Sequence, residues 1–305
     1  MKNYFLFFVF YLISISLLAQ NIVKGQIVDD KNIGISYANI YISSTNKYIQ
    51  TDSTGNFLVN DNFFSNSTNN DSIIVNSVGY DTKMMSIETF KNYFFAKKTL
   101  TLVERTIHLP EVLIKSQRVK LRDYGYYKLK PSSLRLVSSP GNSLCVYIKN
   151  DDKTEGLIKN INFRVYSNNN KTKTFFFRLR FFTKTKDGFE INDMLKGNDI
   201  LIKEFNKKDI IIDVSKYNIP FTKDGIYVGF ECITNPNEIH NINEKFETAI
   251  ACTSKNNEQN TWILNKKGTW GLFQKRFHNE DLKDIPKFYR NVLFRANAQI
   301  GITVY

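Results

Sequence analysis

Residues 38–59 read ANIYISSTNKYIQTDSTGNFLV, and their spacing decides the fold class. Ala38, Ile40 and Ile42 alternate with Asn39, Tyr41 and Ser43, a period of two that sends one set to a buried face of a strand and the other to the opposite face. Thr51-Asp52-Ser53-Thr54-Gly55-Asn56-Phe57 then sets an Asp at a turn start and a Gly where positive φ is easiest. Phe57 to Val59 re-enter an apolar strand, so a hairpin is expected.

The pattern recurs outward from this stretch. Ile73 and Val75 alternate with Ile74 and Asn76, Val78-Gly79-Tyr80 ends a strand with a bend, and Thr99 to Val103 and Ile107 to Ile114 continue around Pro110. About seven short strands fit Asn21 to Lys115, the content of a small sandwich. Composition agrees: Phe 25 and Tyr 16 beside abundant Ile, Val and Thr favour pleated, half-buried surfaces, while low Ala and Leu starve helices. Asn, Asp and Ser crowd between the apolar runs, as at Ser65 to Asp71 and Ser167 to Asn170.

Residues 1–19 read as a signal peptide, with Lys2 as the charged start, an apolar run from Tyr4 to Leu18, and Leu17-Leu18-Ala19 before a cut at Gln20. The run is shorter than the roughly 20 apolar residues of a spanning helix, and Ser14 and Ser16 interrupt it. No Cys follows it to accept a lipid, and no later segment is apolar enough to span as a helix. The expectation is export, with the protein in the periplasm or associated with the outer membrane.

A net charge of +13 could serve nucleic acid or an anionic membrane surface, but the Lys and Arg residues are scattered, which favours a solvated basic surface. Export also removes most nucleic-acid roles. Cys145, Cys232 and Cys252 are an odd count for an oxidising compartment. Cys232 and Cys252 flank one loop and could pair, whereas the favoured alternative is three small buried hydrophobes.

Four blocks in order carry a family resemblance: Lys24-Gly25-Gln26-Ile27-Val28, Ala38-Asn39-Ile40-Tyr41, Thr51-Asp52 with Gly55-Asn56-Phe57, and Ser77-Val78-Gly79-Tyr80. They resemble the carboxypeptidase regulatory-like domain, a transthyretin-like sandwich common in envelope proteins of Bacteroidetes-type bacteria. The closing Leu109-Pro110-Glu111-Val112-Leu113-Ile114 is similar to the segment that leads from this domain into the plug of outer-membrane nutrient transporters. The remaining residues cannot supply a plug and a barrel of some 22 strands. The resemblance implies an accessory sandwich in the envelope and no catalytic residue.

From Ser116 to Gly141 alternation fades and Ser138-Ser139-Pro140-Gly141 forms a breaker cluster, so residues 116–141 are read as a linker between a 20–115 domain and a 142–305 domain. Beyond it Ile158 to Tyr166, Thr174 to Thr183, Ile200 to Phe205, Lys208 to Val214, Gly225 to Ile233, Phe246 to Cys252 and Val292 to Tyr305 read as strands of a larger, jelly-roll-like antiparallel sandwich. Phe175, Phe177, Leu179 and Phe181 share one face, read as core, and Phe176, Arg178, Arg180 and Phe182 share the other. Residues 197–202, 211–217 and 224–231 also look like a sandwich that often accompanies the N-terminal domain in envelope proteins.

Candidate chemistry is sparse. His108, His240 and His278 are far apart with no metal-ligand spacing, no C-x-x-C occurs, and no Gly-rich loop precedes a helix, so neither metal nor cofactor is expected. Ser44-Thr45-Asn46-Lys47 matches the S-x-x-K of acyl-serine enzymes but ends a strand where that chemistry needs a helix. Asp213 and Glu231 lie in strand-like runs, and outward salt-bridging is the commoner fate of such residues. The candidate partner site is the aromatic and basic stretch of Trp262, Lys266, Lys267, Trp270, Phe273, Lys275, Arg276 and Phe277, which Gly268 and Gly271 interrupt and so make partly a surface loop. The favoured reading is a non-catalytic binding or assembly module of the envelope, with an envelope protein or glycan as partner and no nucleic acid. The alternatives are a carbohydrate-binding sandwich, with Trp262 and Trp270 stacking on sugars, and an enzyme of unrecognised type.

Overall fold

A computed structural model of the chain describes residues 22–45, 47–104, 120–137, 141–167, 175–185, 188–195, 199–204, 209–233, 248–256, 258–264, 270–276 and 295–305. It divides into two compact units, the first made of the described residues up to Val75 with Thr82–Leu102, the second of Asn76–Asp81 with those from Val103 onward.

The described residues of the first unit form seven strands: β1 (Val23–Val28), β2 (Asn39–Ile42), β3 (Tyr48–Gln50), β4 (Asn56–Val59), β5 (Ser72–Asn76), β6 (Lys83–Ser86) and β7 (Thr99–Thr101). They make a three-stranded sheet in the order β4-β1-β7 and a four-stranded sheet in the order β3-β2-β5-β6. Ile27, Phe57 and Leu100 from the first sheet and Ile40, Ile42, Ile73 and Val75 from the second are all buried. The period-two reading of residues 38–43 and 73–76 therefore selects strands correctly.

The turn at Asp52 forms, but it does not join a hairpin. Asp52 Oδ1 accepts from the N–H groups of Thr54 and Asn56, both at 2.8 Å, and Gly55 takes φ 82°. Yet β3 pairs with β2 and β4 with β1, so the turn carries the chain from one sheet to the other. Anchors on its two sides explain the divergence. Thr51 Oγ1 accepts from the Ala38 N–H and donates to Ile35 O, both at 2.8 Å, while the Ile27 N–H donates to Gly55 O at 2.8 Å. A Cβ on Gly55 would stand 2.5 Å from the Ile27 carbonyl oxygen, so shape and φ both require glycine.

Two helices also appear where none was expected, α1 (Asp61–Phe64) and α2 (Ile87–Ala96). In α2, Ile87, Phe90 and Phe94 recur at helical spacing and are buried, and Ser86 caps the first turn by accepting from the Thr89 N–H at 3.1 Å. Phe90 and Phe94 pack on Phe57 with ring centroids 5.8 and 4.8 Å away. Local spacing and capping here override the composition of the whole chain.

The second unit is an all-β sandwich. One sheet runs β13 (Gly188–Asp193), β12 (Phe175–Thr185), β17 (Ile226–Cys232), β10 (Ser143–Ile148), β19 (Thr261–Leu264), β20 (Trp270–Leu272), with β14 (Ile200–Glu204) also on β12. The other runs β21 (Asn297–Ala298), β18 (Thr248–Thr253), β11 (Gly156–Ser167), β22 (Ile300–Val304), β8 (Arg122–Gly125). β15 (Asp209–Asp213) and β16 (Pro220–Phe221) add to β11, and β9 (Arg135–Val137) adds to β18. Phe163, Phe177, Leu179, Phe181, Phe230, Ile300 and Ile302 belong to one core shared by both sheets, with the Phe163 and Phe230 rings 4.4 Å apart. The row Phe177, Leu179, Phe181 is core, as its alternation predicts.

Part of the expected linker is sheet. Within 116–141, β8 pairs with β22 and β9 with β18, and Tyr126 is buried with its hydroxyl accepting from Asn260 Nδ2 at 2.6 Å. Ser132 donates its N–H to Cys252 O at 2.7 Å. Short strands at the margin of a sheet carry too few apolar positions to show a period, and Pro131 falls between them. Cys145, Cys232 and Cys252 are all free and buried, the favoured reading of the three, and Cys232 and Cys252 form no bridge.

Candidate functional site

The sheet that places Phe177, Leu179 and Phe181 in the core turns Arg178, Arg180 and Phe182 to its other face. Register fixes what meets them. Arg178 stands opposite Glu231, Arg180 opposite Gly229, and Phe182 opposite Tyr227 on β17. Ser143, Cys145 and Tyr147 of β10 lie opposite the same three β17 residues, Cys145 faces Trp262 on β19, and Leu264 faces Trp270 on β20. One sheet face therefore runs from two arginines to two tryptophans.

The arginine end is an ion cluster. Glu231 Oε2 accepts from Arg178 Nε at 2.9 Å and Nη2 at 2.7 Å, and from Arg180 Nε at 3.0 Å and Nη2 at 2.8 Å. Arg178 is 2 % exposed, Arg180 6 % and Glu231 1 %. Asp199, just before β14, meets Arg178 Nη1 at 3.3 and 3.2 Å and Arg180 Nη1 at 3.8 Å. Burial alone would raise the Glu231 pKa, but the two guanidiniums outweigh it and hold the carboxyl below its ordinary value. Glu231 Oε1 is buried and has no hydrogen-bond partner. Gly229 makes room: a Cβ there would lie 3.0 Å from Cys145 Cβ and Leu144 O and 3.4 Å from the Phe182 ring.

The aromatic end is a second, smaller cluster. Val78, Cys145, Tyr147, Phe182, Tyr227 and Leu264 are buried together, and the half-buried Trp262 and Trp270 pack on them. Trp270 meets the Phe182 ring edge-on at 5.6 Å, and Trp262 meets Tyr227 edge-on at 6.4 Å. Tyr147 donates its hydroxyl to Asp224 O at 2.7 Å, and Lys184 Nζ lies 4.6 Å from the Tyr147 ring centroid. Burial raises the Tyr227 and Cys145 pKa values, so both stay protonated at neutral pH.

The sequence-predicted partner residues are distributed unevenly. Trp262 and Trp270 come onto one sheet face. Phe273 does not join them as an anchor, because it is buried against the main core. Trp270–Leu272 is strand and Phe273–Arg276 a 3-10 turn, so this part is not the surface loop expected; the side chains of Lys275 and Arg276, and residues Lys266, Lys267, Gly268 and Phe277, lie outside the described residues. So do His108, His240 and His278. The residues that sequence reasoning missed are Glu231, expected outward but buried, and Arg178 and Arg180. The two arginines on one face of an aromatic strand were a local signal, whereas the placing of Glu231 opposite Arg178 follows from cross-strand register.

Other candidates resolve into structural roles. Ser44 Oγ donates to Asp71 Oδ2 at 2.7 Å, and Lys47 Nζ donates to the Asn62 and Ser65 carbonyl oxygens at 2.6 and 2.9 Å, closing the end of α1. The S-x-x-K spacing thus ties a loop together. Asp213 is exposed and its Oδ1 accepts from the Ser215 N–H at 2.9 Å. Among the described residues no group of three His, Cys, Asp or Glu is placed to hold a metal ion, and no helix is long and apolar enough to cross a membrane.

Fold and site together define a two-unit all-β protein whose second unit carries a mixed aromatic and ionic sheet face. Its first unit is a carboxypeptidase regulatory-like sandwich: residues 23–114 match the family model described as CarboxypepD_reg-like domain. No curated protein sequence matches the chain. Among solved structures, the cysteine protease and lectin-like domains of Cwp84, a surface layer associated protein of Clostridium difficile, align at 11 % identity and a TM-score of 0.31. The alignment covers 57 % of this chain and 36 % of that one.

Proposed function

We propose that the chain is a non-catalytic binding module exported to the bacterial cell envelope, engaging an envelope protein or glycan through the outer face of the sheet that carries β12, β17, β10, β19 and β20. The observation that carries this reading is the placement of half-buried Trp262 and Trp270 on the same sheet face as the buried Arg178–Glu231–Arg180 cluster. Most of that face is buried, with Val78 packed among its side chains, and Trp262 and Trp270 are its half-buried members, so the indoles are the part of it open to a partner. Tryptophan, tyrosine and arginine are also the side chains that dominate recognition surfaces. Export is supported by the signal-peptide reading of residues 1–19 and by the accessory role of the regulatory-like domain in its family. The paired indoles favour a glycan ligand within this reading, since flat rings stack on pyranose faces.

The test is cross-linking in living cells with the full chain, followed by recovery of bound material from wild type, Trp262→Ala and Trp270→Ala. Reduced recovery from variants that keep their melting temperature within a few degrees is the expected result. Undiminished recovery from both places recognition elsewhere, and a cytoplasmic chain with residues 1–19 intact overturns export.

A further inference from the structure

Phe95, at 86 %, is the most exposed large apolar side chain among the described residues. It stands at the C-terminal end of α2, where only Lys97 and Lys98 separate the helix from β7. Phe94 before it and Leu100 after it are buried, while Phe95, Ala96, Lys97, Lys98 and Thr99 all face solvent. Both roots of this tip are fixed. Phe94 packs edge-on against Phe57 with ring centroids 4.8 Å apart, the Lys97 N–H closes the helix on Tyr93 O at 2.6 Å, and Lys98 O accepts from the Gln26 N–H at 2.9 Å. The ring is therefore presented on a turn already ordered, which lowers the entropic cost of any contact it makes. The charge around it has one sign. From Thr89 to Val103 the chain holds Lys91, Lys97 and Lys98 and no carboxylate. Lys91 is engaged by Phe64, its Nζ 4.3 Å from the ring centroid. Lys128, Lys149 and Lys223 meet carboxylates at 2.6, 3.0 and 4.0 Å, whereas among the described residues no ion pair neutralises Lys97 or Lys98.

We propose that this tip is a membrane contact of the first unit, in which the Phe95 ring enters an anionic lipid surface and Lys97 and Lys98 pair with lipid phosphates. An aromatic ring beside ammonium groups is the combination that settles at the boundary of headgroups and acyl chains, the ring among the upper methylenes and the cations at the phosphates. The surroundings of the ring favour lipid over protein. An anchor for a protein partner is encircled by near-neutral contacts that exclude water, but the neighbours of Phe95 are Asn92, Ala96 and the two lysines, all exposed. One ring and two cations make a weak, reversible attachment, which suits holding an exported module at a membrane while its second unit engages a partner. The contact is separate from the face that carries Trp262 and Trp270, and shares with that reading only the export that brings the chain to a membrane.

The experiment is co-sedimentation of the chain from Gln20 onward, which contains every described residue, with vesicles of phosphatidylcholine alone or mixed with phosphatidylglycerol. Wild type is expected to bind the mixed vesicles and not the neutral ones. A chain this basic could do so through diffuse charge, so the deciding variant keeps every lysine: Phe95→Ala should bind the mixed vesicles about tenfold more weakly, and Phe95→Trp should bind as wild type does. Lys97→Glu with Lys98→Glu should cost at least about tenfold at low salt, more than the charge-matched pair Lys153→Glu with Lys216→Glu in the second unit. Melting temperatures check that each variant is folded. Phe95→Ala binding as tightly as wild type overturns the proposal, and so does a Lys97 and Lys98 double variant no weaker than its control pair. No vesicle binding by wild type overturns it too, and loss of a cross-linked protein from Phe95→Ala cells would then make the ring a protein anchor. Trp262→Ala and Trp270→Ala should leave vesicle binding unchanged, so undiminished partner recovery in those two sinks the partner-face reading without touching this one.

Discussion

At Glu231 a single oxygen accepts from four guanidinium N–H groups while the other accepts none. Removing its charge leaves two buried arginines undercompensated, and breaking such a pair costs about 3–5 kcal/mol. Glu231→Gln should therefore lower the stability of the second unit by that order, read from urea unfolding at neutral pH; a loss below about 1 kcal/mol would show that Asp199 suffices. The same carboxyl sets a pH dependence. Its folded pKa lies below the ordinary 4.5, so its contribution is present above that value and is lost as pH falls through the lowered pKa. Wild type should lose stability below about pH 4.5 more steeply than Glu231→Gln does. The cysteines give a second residue-scale expectation. Burial pushes Cys232 up to about 12 and raises Cys145 and Cys252 well above the ordinary thiol value. Native protein should resist alkylation and take up three labels once unfolded, as counted by mass spectrometry. Only one label after denaturation without reductant would reveal a disulfide instead.

Elements separate what alternation can reveal from what it cannot. Strands such as β2, β5 and β12 are legible because alternation assigns each side chain to one face or the other, although here both faces are buried. Pairing is not, since it depends on distant partners: Asp52 and Gly55 specify a turn, and only Thr51, Ile35 and Ile27 decide that it joins two sheets. Helix α2 is legible in Ser86, Ile87, Phe90 and Phe94, although the composition of the whole chain disfavours helix. β8 and β9 left almost no signal, because a strand of three or four residues at a sheet margin needs few apolar side chains. Two tryptophans were legible as a pair, yet the arginine cluster beside them depends on a cross-strand register that no local pattern encodes. The sheet pairing of β8 and β9 has a direct consequence for proteolysis. After mild digestion the protected C-terminal fragment should begin before Leu121, with the chain from Arg122 to Val137 uncut. A fragment that starts after Gly141 would restore the linker reading.

On the scale of the whole molecule, each unit has its own apolar core. The first is built from Ile27, Ile40, Phe57, Ile73 and Phe90, the second from the aromatic cluster around Phe163, Phe177 and Phe230. Cooperative unfolding follows shared burial, so two cores predict two thermal transitions in scanning calorimetry. The transitions can be assigned by substitutions confined to one unit. Gly55→Ala forces a Cβ to 2.5 Å from Ile27 O at φ 82°, which should cost more than about 1 kcal/mol and lower only the transition of the first unit. Glu231→Gln should lower only that of the second, because Arg178 and Arg180, which Glu231 holds, lie within it. A shift of about 4–8 °C per kcal/mol is expected for a unit of the first one's size and a smaller one for the larger unit, so the pair of variants is resolvable in one set of scans. If a single transition moves with both substitutions, the two cores unfold as one, and a ligand bound to the second unit would then stabilise the first as well.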